Sequence, residues 1–215
     1  MPLQRRRMKR LRVLLADDHR MFLAGLRRLL EPTFEVVDTV EDGRALIAAA
    51  AKWNPDVIVT DISMPLLNGV EAARALVAAG CRAQLIFLTM HGDALYVKQA
   101  MNAGASDYVL KRDAPDKLLA AIHKAGRRRR QHSSAPSEPQ LPKSNFRNAQ
   151  LGEITPRHRE IWQLLAEGRT PKEIAHLLRI STRTVEFHKY RLMKRLGVRS
   201  SAELASLAIR HGLTE

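Results

Sequence analysis

An open parallel α/β sheet followed by an all-helical unit is the architecture predicted for this chain of 215 residues. Three observations lead to it. Short β-branched runs alternate with Ala/Leu-rich helical patterns from Leu11 to about Gly126, a stretch poor in apolar residues then breaks the pattern, and from Thr155 onwards the periodicity is helical alone. With 45% hydrophobic residues, the chain is long enough to build two cores.

In the first half, "LRVLLA", "FEVVDTV", "DVIVTD", "AQLIFLT" and "DYVLK" read as strands, and the stretches near 20–30, 42–52, 70–79, 94–103 and 115–126 as helices. Five βα units in succession imply helices on both faces of a parallel sheet, with function gathered at the carboxyl ends of its strands. "ADDHRM" follows the first strand where a Gly-rich phosphate fingerprint would stand, which disfavours dinucleotide binding. Residues 127–150, with three prolines and several serines, read as a linker. Four helices are expected near 156–167, 171–178, 182–196 and 201–211. Thr155-Pro156 marks one start, and Thr170-Pro171-Lys172-Glu173, with the pattern of a capping box, marks another. The expected organisation is a basic arm at 1–10, an α/β domain at 11–126, a linker at 127–150 and a helical domain at 151–215.

The net charge of +14 is unevenly spread. Residues 13–126 hold twelve Lys/Arg against fourteen Asp/Glu, whereas residues 151–215 hold twelve against seven, so the helical half is the one suited to a polyanion. No window approaches the roughly 18 consecutive apolar residues of a membrane span, and the apolar run after "MPLQRRRMKR" is too short for a signal peptide; the expectation is a cytoplasmic protein without membrane association. Cys81, the single cysteine, can make neither an internal disulfide nor a cysteine zinc site.

Asp17 and Asp18 end the first strand and Asp61 the third, so a parallel sheet presents the three acids on one edge. Neighbouring carboxylates at the rim of an apolar core need positive charge nearby. An all-oxygen set with no His or Cys suits Mg²⁺ or Mn²⁺. Thr89 and Lys111 close the fourth and fifth strands and bring a hydroxyl and an ammonium to the same rim. Together these groups form a receptacle for a phosphoryl group, with a carboxylate as the available nucleophile.

In "ADDH", "DISMPLLNG", "LT" and "YVLK", residues 11–126 resemble the receiver domain of two-component response regulators. The resemblance implies a flavodoxin-like sheet of order 2-1-3-4-5, with Asp61 as phosphoacceptor for a sensor histidine kinase. It further implies that Asp18, Asp61 and the Ser63 backbone carbonyl ligate Mg²⁺, that Asp17 acts through water, that Thr89 and Tyr108 form a switch pair, and that Lys111 holds the phosphoryl oxygens. Met90 stands where many receivers have a small residue, which narrows access to the phosphoryl group.

"KEIAHLLRISTRTVEFHKYRLMKRL" reads as a helix, a tight turn at Arg179-Ile180-Ser181 and a longer helix. On a helical wheel Val185, His188, Lys189, Leu192 and Leu196 share the core face, while Arg183, Glu186, Phe187, Tyr190 and Lys194 point away from it. Such a helix fits the major groove of double-stranded DNA. The expected DNA contacts are Lys172, Thr182, Arg183, Thr184, Glu186, Phe187, Tyr190 and Lys194.

"ITPRHREIWQLLAEG", "KEIA", "TVEFH" and "KRLGVRSSAEL" resemble the helix-turn-helix output domain of the LuxR/FixJ/NarL class. This implies that 182–196 is the recognition helix, with Glu186, Phe187 and Tyr190 approaching the bases, and that 201–211 supplies a dimer contact through Leu204, Ala205, Ala208 and Ile209. Many relatives carry Lys at the position of Glu186. The expected function is a phosphorylation-activated transcriptional regulator, not an enzyme beyond its own phosphoryl transfer. It would form a homodimer on phosphorylation and admit RNA polymerase as a further partner. In the resting form the receiver is expected to mask the reader. Two rivals remain at this point. One is a DNA binder indifferent to phosphorylation. The other is a Mg²⁺-dependent phosphohydrolase, a class that wants a second acid where Ser63 stands.

Overall fold

The computed structural model describes residues 10–90, 94–132 and 154–214, with the backbone alone for 94–96 and 130–132; the arm at 1–9 and the linker from 133 lie outside the described residues. The first half builds β1 (Arg12–Ala16), α1 (Arg20–Leu30), β2 (Glu35–Val40), α2 (Gly43–Trp53), β3 (Val57–Asp61), α3 (Gly69–Ala78), β4 (Gln84–Thr89), α4 (Ala94–Asn102), β5 (Ala105–Leu110) and α5 (Ala114–His132). All neighbouring strands pair in parallel, and the sheet order is β2-β1-β3-β4-β5.

The period-2 alternation of the strands divides the core between two faces. Leu14, Ile58 and Phe87 pack against α2, α3 and α4, whereas Val13, Leu15, Val59, Ile86 and Leu88 pack against α1 and α5. Because all five strands run the same way, the carboxyl ends of β1 and β3 lie side by side.

Two glycines let the segment after β3 fold back tightly. A Cβ on Gly69 would meet the Asp61 carbonyl oxygen at 1.9 Å, and one on Gly43 would meet the Leu67 carbonyl oxygen at 2.1 Å. Their amides instead donate to Ile62 O at 2.8 Å and to Leu67 O at 3.0 Å. The loop between Asp61 and α3 is thereby pinned to the start of α2.

The expected linker boundary near 126 is corrected, because α5 continues to His132. Arg propagates a helix nearly as well as Ala, and cations favour a helix C-terminus, so the run Arg127–Arg130 extends the helix instead of ending it.

The second half is α6 (Pro156–Ala166), α7 (Pro171–Leu178), α8 (Thr182–Leu196) and α9 (Ser201–Arg210). Thr155, Thr170, Ser181 and Ser200 cap the four N-termini through their hydroxyls, and Thr170 with Glu173 completes a capping box. Arg179, in the left-handed conformation, makes the tight turn between α7 and α8. Trp162, Ile174, Val185, Leu192, Leu204 and Ala208 form the core. Among the described residues, no helix is long and apolar enough to cross a membrane.

Candidate functional site

At the carboxyl edge of the sheet, Lys111 Nζ lies 2.7 Å from Asp61 Oδ2 and 2.8 Å from Asp17 Oδ2. Lys111 opens a short 3₁₀ turn directly after β5. Asp17 is fully buried and Asp61 nearly so. Burial pushes the Asp61 carboxyl up to about 6, against the lowering pull of Lys111. Burial draws the Lys111 ammonium down, but its bonds to Asp17 and Asp61 more than offset this, and its pKa is raised.

The other oxygens are also engaged. Asp61 Oδ1 accepts from the Ile62 amide at 2.7 Å, and Asp17 Oδ1 accepts from the His19 amide at 2.9 Å. Asp18 is the outer acid, and its Oδ1 lies 2.9 Å from His19 Nδ1. Thr89 ends β4 as a buried residue, Ser63 lies half-buried in the loop beyond Asp61, and Tyr108 is half-buried against the core on the side of α2–α4. Met90 is largely exposed, directly beyond Thr89.

Ligand atoms of Asp17, Asp18, His19 and Asp61 all lie within 4.8 Å of one another. Three carboxylates facing a single ammonium leave negative charge uncompensated where two of the acids are buried, so the donor set fits a hard divalent cation. His19 lies beside the three acids, outside the all-oxygen set that the sequence suggested. Its ring reaches the acids because the Asp17 side chain holds the His19 amide ahead of α1. Its position beside the acid pair was the available signal.

In the helical half, Arg183, Glu186, Phe187, Tyr190 and Lys194 are exposed on α8, while Val185 and Leu192 are buried and His188, Lys189 and Leu196 half-buried. Lys172 and Thr182 are exposed beside them. Thr184 is half-buried, and its hydroxyl lies 2.7 Å from that of Ser181, so it belongs to the cap. Phe187, Tyr190 and Lys194 line a groove of about 550 Å³ together with Arg191, Arg195 and His158. The guanidinium of Arg191 sits 5.5 Å from the Phe187 ring centre. Arg191 and Arg195, at i+4 and i+8 from Phe187, add two cations to this groove that the sequence reading did not single out.

Two expectations are corrected. Leu204 and Ala208 are 1% and 0% exposed in the domain core, which leaves half-buried Ala205 and exposed Ile209 as the outward residues of the expected dimer set. The receiver also does not cover the reading face of α8, because it docks on α6 and the C-terminal turn. Arg44 Nη2 lies 2.6 Å from Glu160, Arg159 Nε lies 2.8 Å from Glu71, and Gln99 donates to His211 O at 3.0 Å. Phe187 and Tyr190 remain 54% and 65% exposed.

A charged pocket at the edge of a doubly wound sheet, joined to a helix-turn-helix with a cationic and aromatic face, is the arrangement of a DNA-binding regulator. The family "Response regulator receiver domain" matches residues 13–123, and "Bacterial regulatory proteins, luxR family" matches residues 153–208. The response regulator UvrY of Escherichia coli K12 is 33% identical over 94% of both chains, and the transcriptional regulatory protein UhpA of the same strain is 34% identical over 90% of this chain and 95% of its own. Among solved structures, RcsB of Salmonella enterica serovar Typhimurium bound to the rprA promoter in the presence of the phosphomimetic BeF3- aligns with a TM-score of 0.57 at 26% identity, over 94% of this chain and 99% of that one. The chain therefore belongs to the NarL/FixJ family of response regulators, DNA-binding proteins that join a receiver to a LuxR-type helix-turn-helix.

Proposed function

We propose that Asp61 accepts a phosphoryl group from a sensor histidine kinase and that this controls how the C-terminal domain engages double-stranded DNA. The observation that carries the reading is Lys111 Nζ held within 2.8 Å of both Asp17 and Asp61 in a buried pocket. An Asp61 oxygen attacks the phosphorus of a phosphohistidine; the O–P bond forms as the P–N bond breaks, and the imidazole leaves with the electron pair. Lys111 then shifts from the carboxylate to the phosphoryl oxygens, and Thr89 donates its hydroxyl to them, with Tyr108 following as the second member of the switch.

Asp18, Asp61 and the Ser63 carbonyl, supported by Asp17, would hold Mg²⁺ or Mn²⁺. When bound, the metal supplies the positive charge that the developing phosphoryl oxygens need.

Lys172, Thr182, Arg183, Glu186, Phe187, Tyr190 and Lys194 meet DNA, and Ile209 with Ala205 contributes to a homodimer on a two-fold-related site, where RNA polymerase is a further partner. Exposure of the α8 face supports control through the domain contact and not through a covered reader. The relative RcsB bound to promoter DNA in the presence of a phosphomimetic supports DNA engagement by the phosphorylated form. Intact-mass measurement with a small phosphodonor and Mg²⁺ tests the reading. A Mg²⁺-dependent adduct on the wild type and none on Asp61→Asn is expected, and equal labelling of both removes Asp61 from the chemistry.

A further inference from the structure

The segment that follows Asp61 is held by the other domain. Gln163 in α6 donates from Nε2 to Met64 O at 2.8 Å, and its Oε1 accepts from the Asn68 amide at 2.9 Å. One helical turn on, Glu167 Oε1 accepts from the Leu66 amide at 3.2 Å and from Gln163 Nε2 at 2.8 Å. Two side chains thus satisfy backbone groups of three alternate residues in one short loop. Gln163 is 1% exposed; its Oε1 takes its partner from the loop, and its Nε2 divides its donors between Met64 O and Glu167.

The loop is shaped for this grip. Leu66 has φ of 65°, a left-handed conformation that is rare for a branched apolar residue, and its side chain packs against the core of the helix-turn-helix domain. Asn68 caps α3 through Oδ1 to the Glu71 amide at 2.9 Å, while its Nδ2 donates to Leu213 O at 3.4 Å. The path from Asp61 to this grip is short. Ile62 N binds the Asp61 carboxylate, Ser63 follows, and Met64 O is the first atom in the hand of Gln163.

We propose that Gln163, a residue of the DNA-binding domain, is a positioning residue of the phosphoacceptor site: it holds the Asp61–Asn68 loop in its resting arrangement and so opposes occupancy of Asp61 by a phosphoryl group. The proposal rests on the reading of Asp61 as phosphoacceptor. It follows from reciprocity: if a phosphoryl group at Asp61 loosens the domain contact, the contact weakens binding of that group by the same factor. Ser63, whose carbonyl is the expected metal ligand, lies inside the gripped segment, so metal affinity belongs to the same linkage. A residue that merely stabilised the fold would, on removal, weaken binding at Asp61. Removing Gln163 strengthens it.

The test is an equilibrium titration of the full-length chain with beryllofluoride in the presence of Mg²⁺, followed by calorimetry and by fluorine NMR of the bound group. Two lost neutral hydrogen bonds correspond to tightening of about tenfold in Gln163→Leu. Glu167→Ala, which removes the Leu66 partner, shifts affinity the same way by a smaller factor and carries the test if Gln163→Leu does not fold. Affinity equal to or weaker than wild type in a folded variant overturns the proposal while leaving the phosphoacceptor reading intact. If neither wild type nor variants bind beryllofluoride, or if Asp61→Asn binds it equally well, the phosphoacceptor reading fails and the proposal with it.

Discussion

Arg44, at the start of α2, and Glu160, in α6, meet at 2.6 Å across the contact between the two domains. Arg44 also donates to Leu177 O at 2.8 Å, and the second oxygen of Glu160 accepts from Arg157 at 2.6 Å. A second pair, Glu71 with Arg159, crosses the contact at 2.8 Å with the acid almost fully buried. Neighbouring charged pairs with partial burial contribute more than isolated surface pairs, and all of them weaken with salt.

Arg44→Glu sets two acids face to face at this contact and is expected to weaken docking by about 1–2 kcal/mol. The readout is hydrogen exchange at the Leu66 and Asn68 amides, whose acceptors lie on α6. Both lose protection in the variant and in high salt, and adding Glu160→Arg restores part of it. Unchanged exchange would show that the ion pairs do not hold the domains together.

Lys111→Met leaves Asp17 and Asp61 buried without their shared ammonium. Removing one member of a buried charged cluster costs about 3–5 kcal/mol. Because the remaining acids are the expected metal ligands, saturating Mg²⁺ should recover roughly 3 kcal/mol at a hundredfold excess over its dissociation constant. Urea unfolding with and without Mg²⁺ measures both, and a loss that Mg²⁺ does not reduce would separate the lysine from the metal site.

The pocket was legible because strand runs end in acids, a hydroxyl and a lysine, and parallel pairing brings such ends to one edge, whereas the sheet order followed from the resemblance to receiver domains. Other features were not. The arginine run reads as polar sequence whether it is helix or linker, and only propensity within a helix already under way decides for α5. The apolar stripe of α9 does not say whether its partner is the home domain or a second copy, and Leu204 and Ala208 proved to face home. Gln163 had no local mark at all, since its partners at Met64 and Asn68 are 99 and 95 residues away.

His158 and His188 stack edge to face with ring centres 4.9 Å apart, between α6 and α8. His158 Nε2 and His188 Nδ1 are buried atoms without a hydrogen-bond partner among the described residues, while His158 Nδ1 lies 2.8 Å from the Thr155 hydroxyl. Burial lowers both pKa values, and the mutual histidine contact on His158 and the guanidiniums of Arg157, Arg191 and Arg195 around the pair add to it. Since the folded state binds these protons more weakly than the unfolded chain, their contribution to stability is intact above about pH 6.5 and is lost as pH falls through the lowered folded values. The helix-turn-helix domain should therefore melt at lower temperature as pH drops from 7 to 5. His188→Gln should flatten that dependence, and an equally steep profile in the variant would exclude the pair as its source.

Phe187 and Lys194 should separate base reading from phosphate contact. Phe187 is 54% exposed on α8, so Phe187→Ala leaves the melting temperature almost unchanged. It should cost about 1–3 kcal/mol of affinity for a specific site and little for random duplex. Lys194→Ala should weaken both, and reduce the slope of log affinity against log salt by about 1. Equal losses on specific and random DNA for Phe187→Ala would assign the ring to packing against Arg191 and not to the bases.

Leu204 and Ile209 lie on opposite sides of α9, and their exposures of 1% and 52% predict opposite outcomes. Leu204→Ala opens a cavity beside Trp162, whose indole donates to Leu204 O at 2.8 Å, and should cost about 2–5 kcal/mol of domain stability whatever the oligomeric state. Ile209→Glu places a charge in solvent and should change monomer stability by less than about 0.5 kcal/mol. If α9 supplies the homodimer contact, the same change buries an unpaired carboxylate in that contact and abolishes association of the beryllofluoride-loaded chain in sedimentation equilibrium. Dimerisation unaffected by Ile209→Glu would move the contact away from the Ile209 side of α9.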